Sequence, residues 1–559
     1  MILGQLAPYT RTKTGVMSAD QRGAAVARHD FLRAALRFGG VEGVHFFLPE
    51  HLVSSQVLKQ PFVELQEEFP GRTFSIADVR TLEELAPKNK YIFPEPLVSF
   101  PRLGHLRQTV EHNPFPIVGL THSVSSTVNA LLYIGLSLFF ECYDVVVATS
   151  EAGRWAVLQS MKDTSRFLAE RLGSRSVSHP DVVTIPLGVD DESLSPRSPM
   201  ASRSALGLPV DATIIEYVGR LTDKHKADLE PLLSVFRQLL SVYPEAYLVI
   251  AGSETQDRPL YSSALEQAAR DIGIAHRMTI VKDFPFNQKS TIYSAADIFV
   301  SPVDNIQETF GLSILEAMAC ELPVVASDWS GYRDLITHGD CGFLVRTIWN
   351  NQAADWASRI GGLWGDDLEI GYFLAQNTVV DCAELLRYLT ILVQNRDMRK
   401  KMGRRGRERV RAKFSWQAVT KLHQSLWQDQ FAKMKGNIGE GYNSRIRCSY
   451  GETYGHFASV ALQQMESTML HCNTELTEEC LTDTLLPYGV SRSVAERILA
   501  SCKMDAQSVR ALISRLEPNT GCTLSWLWKK GFLKYGMASD EFATREAVTR
   551  KHQSEGSGA

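Results

Sequence analysis

The stretch from Ser301 to Leu344, SPVDNIQETFGLSILEAMACELPVVASDWSGYRDLITHGDCGFL, constrains the fold more than any other part of the chain. It opens on the end of an apolar strand that begins at Asp297, crosses a short polar turn holding Glu308, and enters a helix near Gly311 that carries Glu316 in its second turn. A strand that passes through a tight turn into a helix is the repeating unit of an α/β sheet. Here it leaves two carboxylates, eight residues apart, on either side of one helix N-terminus.

That placement has a chemical use. The first turn of a helix leaves backbone N–H groups without intrahelical partners, here those around Phe310, Gly311 and Leu312, and their aligned dipoles favour a bound phosphate. Gly311 lets the backbone come close to that phosphate. Glu308 and Glu316 lie on the order of 10 Å apart at helical rise, and each can accept hydrogen bonds from vicinal hydroxyls. One would hold a sugar and the other a ribose, so the implied ligand is a nucleotide diphosphate sugar.

The rest of the chain alternates in the same manner. In residues 1–192, Phe46-Phe47-Leu48, Ile117–Leu120 and Val145–Ala148 read as strands and Arg28–Phe38 and Glu151–Leu172 as helices, which predicts a parallel α/β domain. Ser193–Pro209, rich in Ser, Pro and Ala, reads as the linker to a second domain over 208–413. That domain begins with the strand Thr213–Val218 and Gly219-Arg220, and Lys224 and Lys226 follow at the same crevice end. AYLVIAGSE, with Gly252 at its exit, is a further strand, as is MTIVKDFPF ahead of a helix Asn287–Ala296. His122 sits just past Ile117–Leu120, where side chains at a strand's C-terminal end line the ligand crevice of an open sheet.

Glu308 to Glu316, with EAMACELPVVASDWSGYRDLI around it, resembles the Glu-x7-Glu signature and the EAMA-x-G-x-PVVAS pattern of the family 4 retaining glycosyltransferases. Their fold is two facing Rossmann-like domains, the GT-B fold. One departure is Glu321, where that family has Gly. ECYDVVVATSEAGRW, VVTIPLGVD and Phe414-Ser415-Trp416 resemble further family segments, the last opening a closing helix, 414–435, that crosses back onto the first domain. The resemblance covers about residues 1–435 and is strongest over 182–345.

The resemblance implies a set of roles. Arg220 and Lys226, matching the family's GRL-x-Lys, would neutralise the donor diphosphate, with Lys224 as the alternative lysine. Glu308 would grip the donor sugar's hydroxyls, Glu316 the ribose, and His122 the donor sugar at the cleft. Phe310, Gly311, Leu312, Gly252 and Phe284 complete the implied donor-binding set, the Lys282–Phe284 loop running past the nucleobase. No metal is implied, because basic residues and amide dipoles take the part a cation plays elsewhere. Nor is a cofactor implied beyond the donor itself. The reaction implied is retaining transfer of a hexose to an acceptor hydroxyl. The family's Gly-Gly pair in the first β–α loop is absent, and Gly15 and Gly23 are the candidates to replace it.

Composition bounds the partners. A net charge of −4 argues against nucleic acid as a partner. Nine Cys without a Cys-x-x-Cys pair disfavour a disulfide framework or zinc site and fit a reducing cytoplasm. MILGQLAPYTRTKTG lacks the apolar core of a signal peptide, and the apolar window Val128–Ala148 is broken by Glu141 and Asp144, so it reads as a buried helix followed by a strand. Membrane contact, if made, would be peripheral.

Two regions depart from the family pattern. Residues 348–378, with Trp349, Trp356 and Trp364, read as a folded insertion that either packs over the core or forms an acceptor or partner surface. The helical pattern resumes at Val379–Val393, and the basic helix Arg396–Lys413 reads as a solvated face. Beyond the Gly-rich linker Gly436–Gly441, residues 452–559 predict a small, mainly helical or winged-helix-like domain, with a capping box at Ser493–Glu496, a helix at Ala506–Leu516 and the amphipathic LSWLWKKGFL. The acidic character of Gly451–Thr484 favours protein docking or self-association there over nucleic acid, and His456, His471, Cys472 and Cys480 lack metal spacing.

The expected fold is therefore α/β, two facing Rossmann-like domains plus a small helical C-terminal domain. The expected function is a glycosyltransferase of glycan, glycolipid or glycoconjugate biosynthesis acting on a sugar, a lipid-linked glycan or a protein. Its rivals are a sugar-nucleotide epimerase or phosphorylase on the same fold, and a non-catalytic nucleotide-sugar-binding scaffold.

Overall fold

The structure is a computed structural model that describes residues 1–6, 23–49, 53, 56–108, 110, 115–122, 124, 129–173, 177–364, 367–437, 465, 467–472, 490–515, 520–530 and 532–535. The chain divides into two compact units, 1–443 and 444–559.

The first unit is built on two parallel sheets. One has seven strands, β1 (Ile2–Gln5), β2 (Gly43–Leu48), β3 (Thr73–Asp78), β4 (Tyr91–Pro96), β5 (Ile117–Leu120), β6 (Val145–Ala148) and β7 (Asp181–Thr184), in the order β3-β2-β1-β4-β5-β6-β7. The other has six, β8 (Thr213–Val218), β9 (Ala246–Gly252), β10 (Met278–Lys282), β11 (Ile298–Ser301), β12 (Val324–Ser327) and β13 (Gly342–Val345), in the order β10-β9-β8-β11-β12-β13. In each, the chain winds outward from its first strand, then returns across it and winds the other way. That reversal leaves a crevice at the C-terminal ends of β1 and β4, and another at those of β8 and β11. β11 and β12 are buried along their whole length, as strands covered by helices on both faces must be. The α/β architecture with two Rossmann-like sheets is thus the one expected.

The acids that interrupt Val128–Ala148 have a structural use. The segment forms a helix, Asn129–Phe139, and then β6. Between them Asp144 takes both guanidinium N–H groups of Arg107 at 2.7 Å and the N–H groups of Ile117 and Glu141 at 2.8 and 2.7 Å. Both partners are buried, and the pair works as a hydrogen-bonded staple across helix, loop and strand. No helix among the described residues is long and apolar enough to cross a membrane.

The helix Trp416–Asn437 places Trp416, Val419, Trp427 and Phe431 in the same core as Leu3, Phe31 and Phe46 of the first sheet. Its entry is pinned where Val189, in the VVTIPLGVD segment, bridges to Ser415.

Several local expectations need correction. Ser193–Pro209, read as the linker, carries a helix, Pro199–Leu206, capped by the Ser198 hydroxyl and closed by Gly207. Its Arg203 is buried and bonds the carbonyls of Ala295, Val210 and Ala212, which fastens the segment to the second sheet. Residues 347–380 form an antiparallel pair, β14 (Thr347–Trp349) and β15 (Thr378–Val380), enclosing helices Asn351–Trp364 and Asp367–Gln376. Val379 and Val380 therefore belong to a strand, and the helix begins at Cys382, where Asp381 caps it. The basic helix Arg396–Arg409 is not wholly solvated: Arg399 and Arg407 are buried, donating to the Leu392 and Val393 carbonyls and to the Ala319 carbonyl respectively.

The second unit has a three-stranded antiparallel sheet, β16 (Met469–Cys472) between β17 (Gln507–Ser508) and β18 (Leu533–Tyr535), with helices Arg492–Met504, Val509–Arg515 and Thr520–Lys529. Leu470, Ile498, Leu512 and Leu527 meet in its core. The cap of its first helix is Ser491, accepting from the Val494 N–H, two residues ahead of the expected Ser493, and Gln507–Ser508 is strand where helix was expected. His471 and Cys472 lie on β16, whereas His456, Cys480 and most of Gly451–Thr484 fall outside the described residues. Gly15 also lies outside them, and Gly23 opens the first helix.

Candidate functional site

The crevice of the second sheet gathers most of the residues singled out in the sequence. β8 and β11 are hydrogen-bonded neighbours, so the loops leaving them must meet. β8 delivers Arg220 and Lys226, and β11 delivers the turn with Glu308. The Lys226 ammonium pairs with Glu308 Oε2, the two side chains being 12% and 13% exposed. Glu308 Oε1 also accepts the Phe310 N–H at 3.3 Å. Burial pushes the Glu308 carboxyl up, but Lys226, the Phe310 N–H and the nearby Arg220 together outweigh it and hold the group below the usual carboxylate range. Arg220 donates to the His225 carbonyl at 3.3 Å, which turns its guanidinium along the same loop.

Two glycines are required by this geometry. Gly252 ends β9, where an added Cβ would lie 1.7 Å from the Gly219 carbonyl oxygen, so only glycine lets β9 approach the turn that presents Arg220. Gly311, at φ +113°, precedes the helix Leu312–Ala319, and a Cβ there would meet the Tyr332 ring at 2.4 Å. Phe310 is buried beside it, while Leu312 begins the helix and is half-buried. The N–H groups of the helix's first turn therefore start next to Glu308.

Glu316, one turn further on, is buried and turned toward the helix Lys289–Ala295. It pairs with the Lys289 ammonium at 2.5 Å and accepts the Tyr293 hydroxyl at 2.7 Å. Sequence reading missed both partners. Their signal was the four-residue spacing that puts Lys289 and Tyr293 on one helix face.

A third organiser, Asn305, was also missed although it lies in the key stretch. It is fully buried, its carbonyl accepts the Glu308 N–H at 3.2 Å and the Trp329 indole N–H at 3.0 Å, and its side chain binds the Gln307 N–H and the Lys224 carbonyl. One residue, through its carbonyl and its side chain, thus ties the β8 loop, the β11 turn and the β12 loop together.

The first sheet closes on the same spot. The Thr309 hydroxyl donates to the His122 carbonyl at 2.9 Å, and the Ser150 hydroxyl donates to the Thr309 carbonyl at 2.6 Å. His122, itself exposed, therefore sits across from the residue after Glu308. Ser150 is the N-cap of Glu151–Leu172, so one hydroxyl starts a helix of the first half and grips the turn of the second.

Two of the singled-out residues point elsewhere. The Lys224 ammonium pairs with Glu369 of the inserted segment, so of the two candidate lysines only Lys226 reaches Glu308. The Phe284 ring is buried in the core of the second sheet. The reason is local: Asp283 takes φ +51°, turning the chain inward straight after β10.

Residues 201–360 match the family model described as Glycosyl transferases group 1. The chain is 33% identical over 192 residues to the D-inositol 3-phosphate glycosyltransferase of Stackebrandtia nassauensis, an alignment covering 34% of this chain and 42% of that protein. It is 28% identical over 253 residues to the enzyme of the same name from Nocardia farcinica, covering 45% and 54%. The chain thus spans about half the length of the curated relatives it matches. Among solved structures, sucrose-phosphate synthase from Thermosynechococcus elongatus superposes with a TM-score of 0.52 at 19% identity, over 77% of this chain and 99% of that one. Anabaena HepE in complex with UDP gives 0.52 at 15% identity, over 76% and 98%. These two likenesses establish the fold.

Proposed function

We propose that the chain, whose residues 201–360 match the group 1 glycosyltransferase model, is a retaining hexosyltransferase that uses a nucleotide diphosphate sugar. The observation that carries the reading is the convergence of Lys226, Arg220 and the start of the helix Leu312–Ala319 on Glu308, opposite His122 of the other sheet. A diphosphate seated at that helix start gains negative charge as the glycosidic bond breaks. Arg220 and Lys226 are the cations within reach of it, and fixed charges in a water-poor cleft stabilise a developing anion far more than they would in water.

In this reading Glu308, kept ionised by its neighbours, accepts hydrogen bonds from the donor sugar's hydroxyls, and on donor binding Lys226 shifts from the carboxylate toward the phosphate. Glu316, oriented by Lys289 and Tyr293, holds the ribose hydroxyls. The bond from the anomeric carbon to the diphosphate oxygen breaks, and the acceptor oxygen bonds to that carbon on the same face. The acceptor's proton passes to the departing phosphate oxygen, so no enzymic nucleophile and no metal is needed. Because a protein of the same fold was solved with UDP, a UDP sugar is the first donor to try.

The test is donor turnover in Glu308→Ala and Arg220→Ala proteins. Loss of about 10²-fold or more in kcat is expected in each, the scale of removing one preorganised charge-stabilising group. Near-normal turnover in both would remove the assignment. A thermal-shift panel of UDP, GDP and ADP sugars identifies the donor, because a ligand that binds only the folded state raises its stability.

A further inference from the structure

We infer that the segment inserted after β13 carries a groove that binds a neutral oligosaccharide. The groove, about 510 Å³, runs along the β14–β15 pair and the ends of the two helices it encloses. Its apolar side is the Trp349 indole, 38% exposed, beside the cross-strand pair Ile348 and Val379, both exposed. Its polar side consists of five carboxamide residues, Gln352 and Asn377 among them, and no residue lining it is charged.

This lining selects a ligand class. A pyranose ring offers an apolar C–H face, which an indole covers, and a rim of hydroxyls that both donate and accept. The carboxamide is the side chain that supplies an oxygen acceptor and N–H donors from one planar group. An anionic ligand would call for a cation, and none lines the groove. A stable protein interface buries about 800 Å² per partner, many more residues than the eight that line this groove.

The groove is also joined to the transfer site. The Trp349 ring lies 5.8 Å from that of Trp329, whose indole N–H donates to the Asn305 carbonyl, and that carbonyl accepts the Glu308 N–H. Glu369 and Gly371, on the helix between β14 and β15, hold Lys224 and Asn305 from the other side. A saccharide on the insertion is thus held on the scaffold that positions Glu308. The inference goes beyond the transferase reading and rests on the groove's own lining.

The experiment is titration of the full chain with maltotetraose, cellotetraose and chitotetraose, followed by tryptophan fluorescence and calorimetry. At least one should bind, with Trp349→Ala weakening it about tenfold or more and Glu308→Ala changing it less than about twofold. If Trp349→Ala fails to fold, Gln352→Ala, at an exposed helix position, takes its place with an expected weakening of about threefold. Absence of binding by all three sugars overturns the inference. Binding lost in Glu308→Ala but kept in Trp349→Ala assigns it to the cleft and overturns it equally. Donor turnover, measured alongside, reports on the transferase reading separately.

Discussion

Glu321 shows how a single backbone angle explains a departure from a family pattern. The helix Leu312–Ala319 ends at Cys320, and the next residue takes φ +62°, the left-handed conformation that terminates many helices and that glycine adopts without cost. Glu321 holds the backbone angle that a glycine takes freely, at a cost of roughly 1 kcal/mol. Glu321→Gly is therefore expected to raise stability by about 0.5–1 kcal/mol in urea unfolding, the freer unfolded chain offsetting part of the relief. A loss of stability would show that the 4.0 Å Arg407–Glu321 pair outweighs the strain. At this scale Glu308, Gly311 and Arg220 were legible because their spacing from strand ends is set by backbone geometry. Spacing favoured Lys226 over Lys224, but the partner that turns Lys224 aside, Glu369, lies far along the chain and was not legible.

Elements are held by buried polar groups whose loss has calculable signs. Asp144→Ala would leave the Arg107 guanidinium buried without its carboxylate, and a cost of about 3–5 kcal/mol is expected, read as a fall in Tm. The closing helix Trp416–Asn437 carries His423, buried with its ring 4.8 Å from that of Phe31. Burial lowers its pKa from 6.5 to about 3. The unfolded chain thus binds a proton that the folded one refuses, so stability is full above about pH 6.5 and falls as the pH drops toward about 3. His423→Phe should flatten the slope of Tm against pH in that window, and an unchanged slope would show that the histidine is protonated in place. The helix was legible from the resemblance of Phe414-Ser415-Trp416 to the opening of a closing helix. That a titratable ring occupies its buried face was not, because burial depends on which surface the helix meets.

On the scale of the whole molecule, all the site residues named above lie in the unit 1–443. A chain ending at Asn443 should therefore fold and retain donor turnover within about twofold, as expected of a domain with its own core. Loss of turnover with an unchanged melting profile would instead assign the second unit a part in catalysis. The parallel architecture was readable from runs such as Ile117–Leu120 and Val145–Ala148, since strands buried on both faces are continuous apolar runs separated by helical periods. The order of strands was not, because a run such as Thr213–Val218 pairs equally well with any neighbour until the crossovers are known.

The sequence alone determined the strand–turn–helix unit that carries Glu308 and Glu316, the acids and cations placed by short-range spacing, and the two-sheet class. Those features depend on contacts only a few residues apart. The tertiary structure alone decided what holds Lys224 away from Glu308, what orients Glu316, that Asn305 binds three loops together, and that the insertion opens a neutral groove. Each of these joins residues distant in the chain, and only folding, which brings them together, can select such partners.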